Sequence, residues 1–277
     1  MSGLEASGLT VRIGARTLVD DAHLVAPRGQ VTGIIGPNGA GKSTLLRAVA
    51  GVLPHDGRVR LDDAPLPRPG SRARARLIGY LPQRHEAHWP VTVRHTVELG
   101  RLPHQGLFEG LSHRDRTIVD DAMDRTDSGG FAEAPVTTLS GGERARAMLA
   151  RVLAGQTPVL LVDEPVAALD PGQQVSVMAL LRAEATVHDR IVVVVLHDLS
   201  LAARICDQLL LIDRGRIVQA GPASVVLESP DLEAVYGVPF GRGRVCDVPV
   251  VTPLNGRDPS DAGSAHPDRQ GLRSISL

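Results

Sequence analysis

The sequence predicts an α/β fold built on a parallel sheet covered by helices on both faces. Three observations predict it. Short, predominantly apolar runs at Val31–Ile35, Val159–Val162, Ile191–Leu196 and Leu209–Ile212 alternate with helical segments. Apolar runs of this length suit strands buried on both sides. A glycine-rich loop follows the first run and opens a helix, at the strand end where such sheets collect their ligands. The 277 residues allow one large domain of this kind plus a modest appendage.

The elements follow in order. Residues 1–35 read as short strands, the last being Val31–Ile35. A helix is expected from Lys42 to about Val52, and the alternating segment Gly57–Leu61 reads as a strand. Pro67, Pro69 and Gly70 mark a loop, and Leu77–Leu81 is a strand stopped by Pro82. The stretch from Gln83 to Thr138 is helical and more polar. Ser112 and Asp115 have capping-box spacing, predicting a helix to about Thr126. From Ser140 the order is helix, strand (Val159–Val162), helix (about 173–185), strand (Ile191–Leu196), helix (Leu199–Cys206) and strand (Leu209–Ile212). Asp213–Arg216 is a tight turn into another strand, and two short helices are expected at Ala223–Leu227 and Pro230–Tyr236. After Pro253 the chain is rich in Gly, Asp, Ser and Pro, and 254–277 reads as a disordered tail.

Composition excludes several classes. Net charge is -1, giving no electrostatic case for nucleic-acid binding. The dense basic stretch Ser71–Arg76 reads as a solvated helix face. The longest apolar run, Ile191–Leu196, is far short of the ~20 residues that cross a bilayer, so any membrane role is expected to come through a partner. No signal peptide is visible at the start of the sequence. Cys206 and Cys246 lie far apart without metal-ligand spacing, which points to a reducing compartment and no disulfide framework. Lys42 is the sole lysine among 30 Lys+Arg residues, and it stands in the glycine-rich loop.

That loop, Gly36-Pro37-Asn38-Gly39-Ala40-Gly41-Lys42-Ser43, fits G-x-x-x-x-G-K-S/T between a buried strand and a helix start. Glycines let the backbone wrap a phosphate closely, and the helix N-terminus adds partial positive charge. Lys42 is placed to reach the β- and γ-phosphates, and Ser43 to hold Mg²⁺. The apolar run Val159–Val162 ends in Asp163 and Glu164. A strand delivers Asp163 to the same sheet end to meet Mg²⁺, and Glu164 follows where it can polarise water. These residues define a nucleotide hydrolase. Ser140 and Glu143 have capping-box spacing around Gly141 and Gly142, a second helix end able to attract an anion.

With these pieces in place the chain resembles the ATPases of ABC transporters over about residues 4 to 240. Leu139–Glu143 resembles their signature motif. Gln83 in Tyr80–Gln83 resembles the Q-loop glutamine, Ala167–Asp170 the D-loop, and His197 the switch histidine. The resemblance implies an ATPase domain over residues 1–240, with a parallel-sheet core, an antiparallel β subdomain and a helical subdomain at about 84–155. A C-terminal strand extension at 241–253 would follow. It implies a homodimer that holds two ATP molecules, each between Gly36–Thr44 of one copy and Ser140–Glu143 of the other. Asp170 would lie at the seam. Glu164 would orient water, His197 would contact the γ-phosphate, and Ser43, Asp163 and Gln83 would hold Mg²⁺. Implied partners are transmembrane permease subunits and, indirectly, a substrate-binding protein, with the ATPase at the cytoplasmic face of the membrane.

Two positions depart from the family pattern. Ile13 stands near a site where an aromatic residue often stacks on adenine, leaving Ile13 or Arg16 to cover the base. Ala167 replaces a frequent serine. Val97–His104, Leu196–Arg204 and Val235–Val238 resemble importers of iron siderophores, haem and cobalamin; zinc or manganese importers are the alternative. A soluble ATPase acting on ribosomes or DNA fits less well, because there is one P-loop, no long heptad run and no Cys-rich insert. A non-catalytic regulator would be expected to lack Lys42, Glu164 or His197. The histidines His85, His88, His95, His104 and His113 read as solvated or partner-facing, since His85 and His88 have no clear third ligand.

Overall fold

The computed structural model describes residues 3–83, 90–106, 109–167 and 169–254. The chain begins with two long antiparallel strands, β1 (Gly3–Ile13) and β2 (Arg16–Pro27), followed by β3 (Val31–Ile35) and α1 (Lys42–Ala50). The elements β4 (Asp56–Leu61), β5 (Ala64–Pro65), α2 (Arg72–Ala75) and β6 (Ile78–Leu81) come next. Three α-helices, with short 3-10 turns between them, then precede the next strand: α3 (Val93–Glu98), α4 (His113–Arg125) and α5 (Gly141–Ala154). The second half runs β7 (Val159–Asp163), α6 (Pro171–Thr186), β8 (Ile191–Val195), α7 (Leu199–Ile205), β9 (Gln208–Asp213) and β10 (Arg216–Pro222). It ends with α8 (Ala223–Glu228), α9 (Pro230–Tyr236), β11 (Phe240–Val245) and β12 (Val248–Pro253).

The main sheet has the order β10-β9-β3-β8-β7-β6. Its five strands from β9 to β6 are parallel and β10 is an antiparallel edge. A run such as Ile191–Val195 is buried throughout because its faces serve two cores. Val192 and Val194 pack with α5, α6 and α7, while Val193 and Val195 pack with α1 and the antiparallel sheet. That second sheet has the order β2-β1-β4-β5. The helices α3, α4 and α5 pack on one another between β6 and β7 in sequence.

Three sequence expectations are changed or made finer. The first 35 residues hold an 11-residue and a 12-residue strand rather than several short ones. Register shifts at Ala6/Leu9, Leu9/Val11 and Val11/Arg12 break the alternation that would have revealed them. The C-terminal strand extension is a two-stranded hairpin that starts at Phe240, and it packs on α7. The basic stretch is not simply a solvated face. Arg74 is 6% exposed and donates to Val49 O, Ala50 O and Pro67 O, closing the C-terminal end of α1. The cysteines are both free, Cys206 buried and Cys246 exposed. Burial pushes the Cys206 thiol up to about 12.

Among the described residues no helix is long and apolar enough to cross a membrane. His85, His88, Ala168 and the tail from residue 255 lie outside the described residues. His104 makes a 2.9 Å hydrogen bond to Gly155 O, and His95 lies 3.4 Å from Glu98.

Candidate functional site

The strand order places four loops side by side. β3, β8, β7 and β6 are consecutive neighbours in the sheet. Their carboxyl ends therefore deliver Gly36–Ser43, His197, Asp163–Glu164 and Gln83 to one edge. They meet around a pocket of about 410 Å³, whose walls include Asn38, Gly39, Gly41, Lys42, Ser43, Thr44, Gln83, Glu164 and His197.

The loop wraps tightly because two glycines have no room for a side chain. Gly36 has φ +150°, and a Cβ there would stand 2.2 Å from Ile212 O. Gly41 has φ +107°, with a Cβ 2.8 Å from Leu18 O. Lys42 is 5% exposed and its Nζ donates to Gly36 O at 2.8 Å and Pro37 O at 2.9 Å. The one lysine thus holds its own loop curled from inside. Burial lowers its pKa, while Glu164 and Asp163 pull it back up. Ala40 is buried beneath the loop, and Pro37 and Asn38 form its rim.

Asp163 is fully buried at the end of β7. Ser43 Oγ donates to its Oδ1 at 2.8 Å, while its Oδ2 has no hydrogen-bond partner. Burial raises the carboxyl's pKa, and Glu164 adds to this, against the Ser43 hydrogen bond and the charges of Arg47 and Lys42. An unpaired buried carboxylate oxygen beside a serine hydroxyl is a costly arrangement without a cation.

Glu164 has φ +51°, in the left-handed region that few non-glycine residues occupy. The turn aims its carboxylate back over the sheet edge. Gln83 Nε2 donates to Glu164 Oε2 at 2.6 Å, and His197 Nε2 meets Oε1. A carboxylate held by two flanking polar groups, at the mouth of a phosphate loop, is an arrangement able to activate a water molecule.

The remaining predicted residues are elsewhere. Ser140 caps α5, accepting from Glu143 N at 3.3 Å, and Glu143 Oε2 accepts from Ser140 N at 2.9 Å and Oγ at 2.7 Å. These bonds hold the Glu143 carboxyl below its ordinary pKa. Asp170 caps α6 through Gln173 N at 2.8 Å. A Cβ on Gly142 would stand 2.8 Å from Gln173 Oε1 and 3.4 Å from Leu169, so the two caps share one surface. Ser140, Gly141 and Asp170 are exposed, and none of Ser140–Glu143 or Asp170 lines the pocket.

Arg16 and Leu18 line the pocket from β2. Leu18 was not legible as a site residue, because its place follows from β2 lying against the loop and no motif marks it. Ile13 is 57% exposed and pairs with Arg16 across the β1–β2 turn.

A family model described as ABC transporter matches residues 19–167. The chain is 40% identical over 265 residues to a cobalamin import ATP-binding protein of Halobacterium salinarum, covering 95% of this chain and 66% of that protein. It is 43% identical over 237 residues to a hemin import ATP-binding protein of Rhodococcus jostii, covering 85% of this chain and 80% of that protein. The chain thus spans just under two thirds of the length of the cobalamin relative. Among solved structures, a transporter described as of metal-chelate ABC type, in an inward-facing conformation, superposes with a TM-score of 0.80 at 24% identity. It covers 92% of this chain and 99% of its own. At that identity the likeness speaks for the fold alone.

Proposed function

The chain belongs to the ABC transporter family, and from that membership we propose that it hydrolyses ATP to drive import of a metal chelate through a membrane permease. The observation that carries the hydrolytic reading is the Glu164 carboxylate, bracketed by Gln83 and His197 beside the phosphate loop. Haem and cobalamin are the chelates named for the relatives, and iron siderophores share their chemistry of a large organic ligand around a metal. The cargo never enters this chain, so it is chosen by the permease and its substrate-binding protein.

The residues divide the work. Lys42 exchanges its two loop carbonyls for the β- and γ-phosphates, and the loop N–H groups face the same anion. Ser43, Asp163 and Gln83 are the donors for Mg²⁺. The unpartnered Asp163 Oδ2, the adjacent Ser43 hydroxyl and the all-oxygen character of the set fit a hard octahedral cation. Mg²⁺, when bound, neutralises charge on the phosphates. Glu164 orients the attacking water and accepts its proton, while His197 holds the terminal phosphate. Ile13 and Arg16 cover the base.

Residues 1–240 form the ATPase domain, with the helices of about 84–155 as the subdomain that meets the permease. Two copies assemble so that Ser140–Glu143 and Asp170 of each complete the pocket of the other. The dimer works at the cytoplasmic face of the membrane, held there by its permease partners.

The test uses tagged Glu164→Gln protein, purified from detergent-solubilised native membranes with Mg-ATP. Wild-type protein is assayed for ATP hydrolysis in parallel. A polytopic membrane protein recovered in equal amount is expected. Ribosomal or DNA-repair proteins in its place would overturn the transport reading and leave the hydrolytic one. A wild-type chain without ATPase activity, alone and with its membrane partner, would overturn both.

A further inference from the structure

His197 is the last residue but one before α7, and that helix sets where its imidazole sits. The side chain is 42% exposed, and Glu164 is its partner across the pocket mouth. The seven residues of α7 are too few to fix their own N-terminus without outside contacts. Two such contacts are present. Asp198 caps the helix, accepting from Leu201 N at 2.9 Å. Ser200 is gripped by the C-terminal hairpin: its Oγ donates to Val251 O at 3.0 Å and accepts from Val251 N at 2.9 Å. One hydroxyl thereby takes both backbone groups of a residue 51 positions away.

The same C-terminal segment touches the other end of the phosphate site. Tyr236 on α9 stacks edge-on against Phe240 at the start of β11, with ring centroids 5.6 Å apart. Its buried hydroxyl approaches the Gly36 backbone without a well-aligned hydrogen bond. A groove of about 690 Å³ runs from His197 and Asp198 to Tyr236, Val251 and Pro253. One segment therefore spans from the first residue of the phosphate loop to the helix behind His197.

We infer that Ser200 is a positioning residue, and that its clasp on Val251 lets the C-terminal hairpin set His197 for the terminal phosphate. The inference rests on the reading of His197 as the group that contacts that phosphate. The clasp acts through α7, so it bears on the γ-phosphate and leaves the contacts of the α- and β-phosphates to the loop.

Calorimetric titration of the full chain with Mg-ADP and with a non-hydrolysable Mg-ATP analogue tests this. Ser200→Ala is expected to weaken analogue binding about three- to tenfold, the scale of a lost hydrogen bond, with ADP affinity within twofold of the parent. Ser200→Thr keeps the hydroxyl and is expected to restore the ratio. Equal weakening of both nucleotides, or no change in either, overturns the clasp while the parent's binding upholds the functional reading. A parent that binds neither nucleotide overturns both.

Discussion

Asp163 carries an electrostatic cost in its buried place at the end of β7. The carboxyl is fully buried, one oxygen is satisfied by Ser43 and the other has no partner. Burial holds its folded pKa above the ordinary value. Between the unfolded and folded pKa values the native chain therefore binds more protons than the unfolded one, so stability falls as pH rises through that window and stays lower above it. Asp163→Asn keeps an acceptor for Ser43 and removes the charge. It is expected to raise the stability of the nucleotide-free protein at pH 7 by about 1 kcal/mol, while abolishing the extra thermal stability that Mg-ATP confers on the wild type. Thermal melts with and without Mg-ATP check this; a mutant that keeps the Mg-ATP increment would remove Asp163 from the cation site. At this scale the sequence was informative where chemistry demands a fixed order of residues. Gly36–Ser43 and Asp163–Glu164 were legible because a phosphate loop and a strand-end carboxylate need those residue types next to one another. Gln83 and His197 have no local signature. Their place beside Glu164 follows from β6 and β8 flanking β7, which only the assembled sheet displays. Ser200 is further from reach, because its partner is a backbone 51 residues on.

At the scale of elements, the buried strands were legible and the half-exposed ones were not. Val31–Ile35 was predicted with its observed limits, since it is an apolar run closed by a glycine loop. The helices α4 and α5 began where their capping boxes predicted. By contrast β1 and β2 lose their alternation at each register shift. Arg74 shows why a charge run misleads: period and charge place it on a surface, but α1 ends with carbonyls that need donors. Its guanidinium supplies them, with a cation at the negative end of the helix dipole. Arg74→Ala is expected to cost about 2–4 kcal/mol, because buried carbonyls lose a charged donor. Arg74→Lys is expected to recover less than half of that, lacking the fork that reaches three acceptors. Urea unfolding gives the answer as a lowered midpoint at constant slope. A loss below about 0.5 kcal/mol, the range of an ordinary surface substitution, would mean that α1 does not depend on this clamp. Since α1 begins at Lys42, a loosened far end should also weaken nucleotide binding.

At the scale of the whole molecule, one chain holds half of each implied nucleotide site. The P-loop pocket and the surface bearing Ser140, Gly141 and Asp170 are separate on the same molecule. A helix cannot slide its capped end across the sheet to join them, because α5 is packed into the main core along its length. A second copy can join them without any such movement, and two-fold symmetry then completes both sites at once. The contacts would be strongest with the terminal phosphate in place, since both the loop and the α5 N-terminus favour negative charge. Glu164→Gln keeps the shape of the proposed base and removes its ability to take a proton, so the closed pair should accumulate. In light scattering the mutant is expected to pass from monomer to dimer mass on adding Mg-ATP, and to return to monomer when EDTA removes the cation. Ser140→Trp, placed at the exposed cap, is expected to block the dimer while leaving nucleotide binding to the monomer intact. A Glu164→Gln protein that stays monomeric at saturating Mg-ATP would break the link between the two surfaces. The P-loop site would then have to work within a single chain, with Ser140 and Asp170 reduced to helix caps.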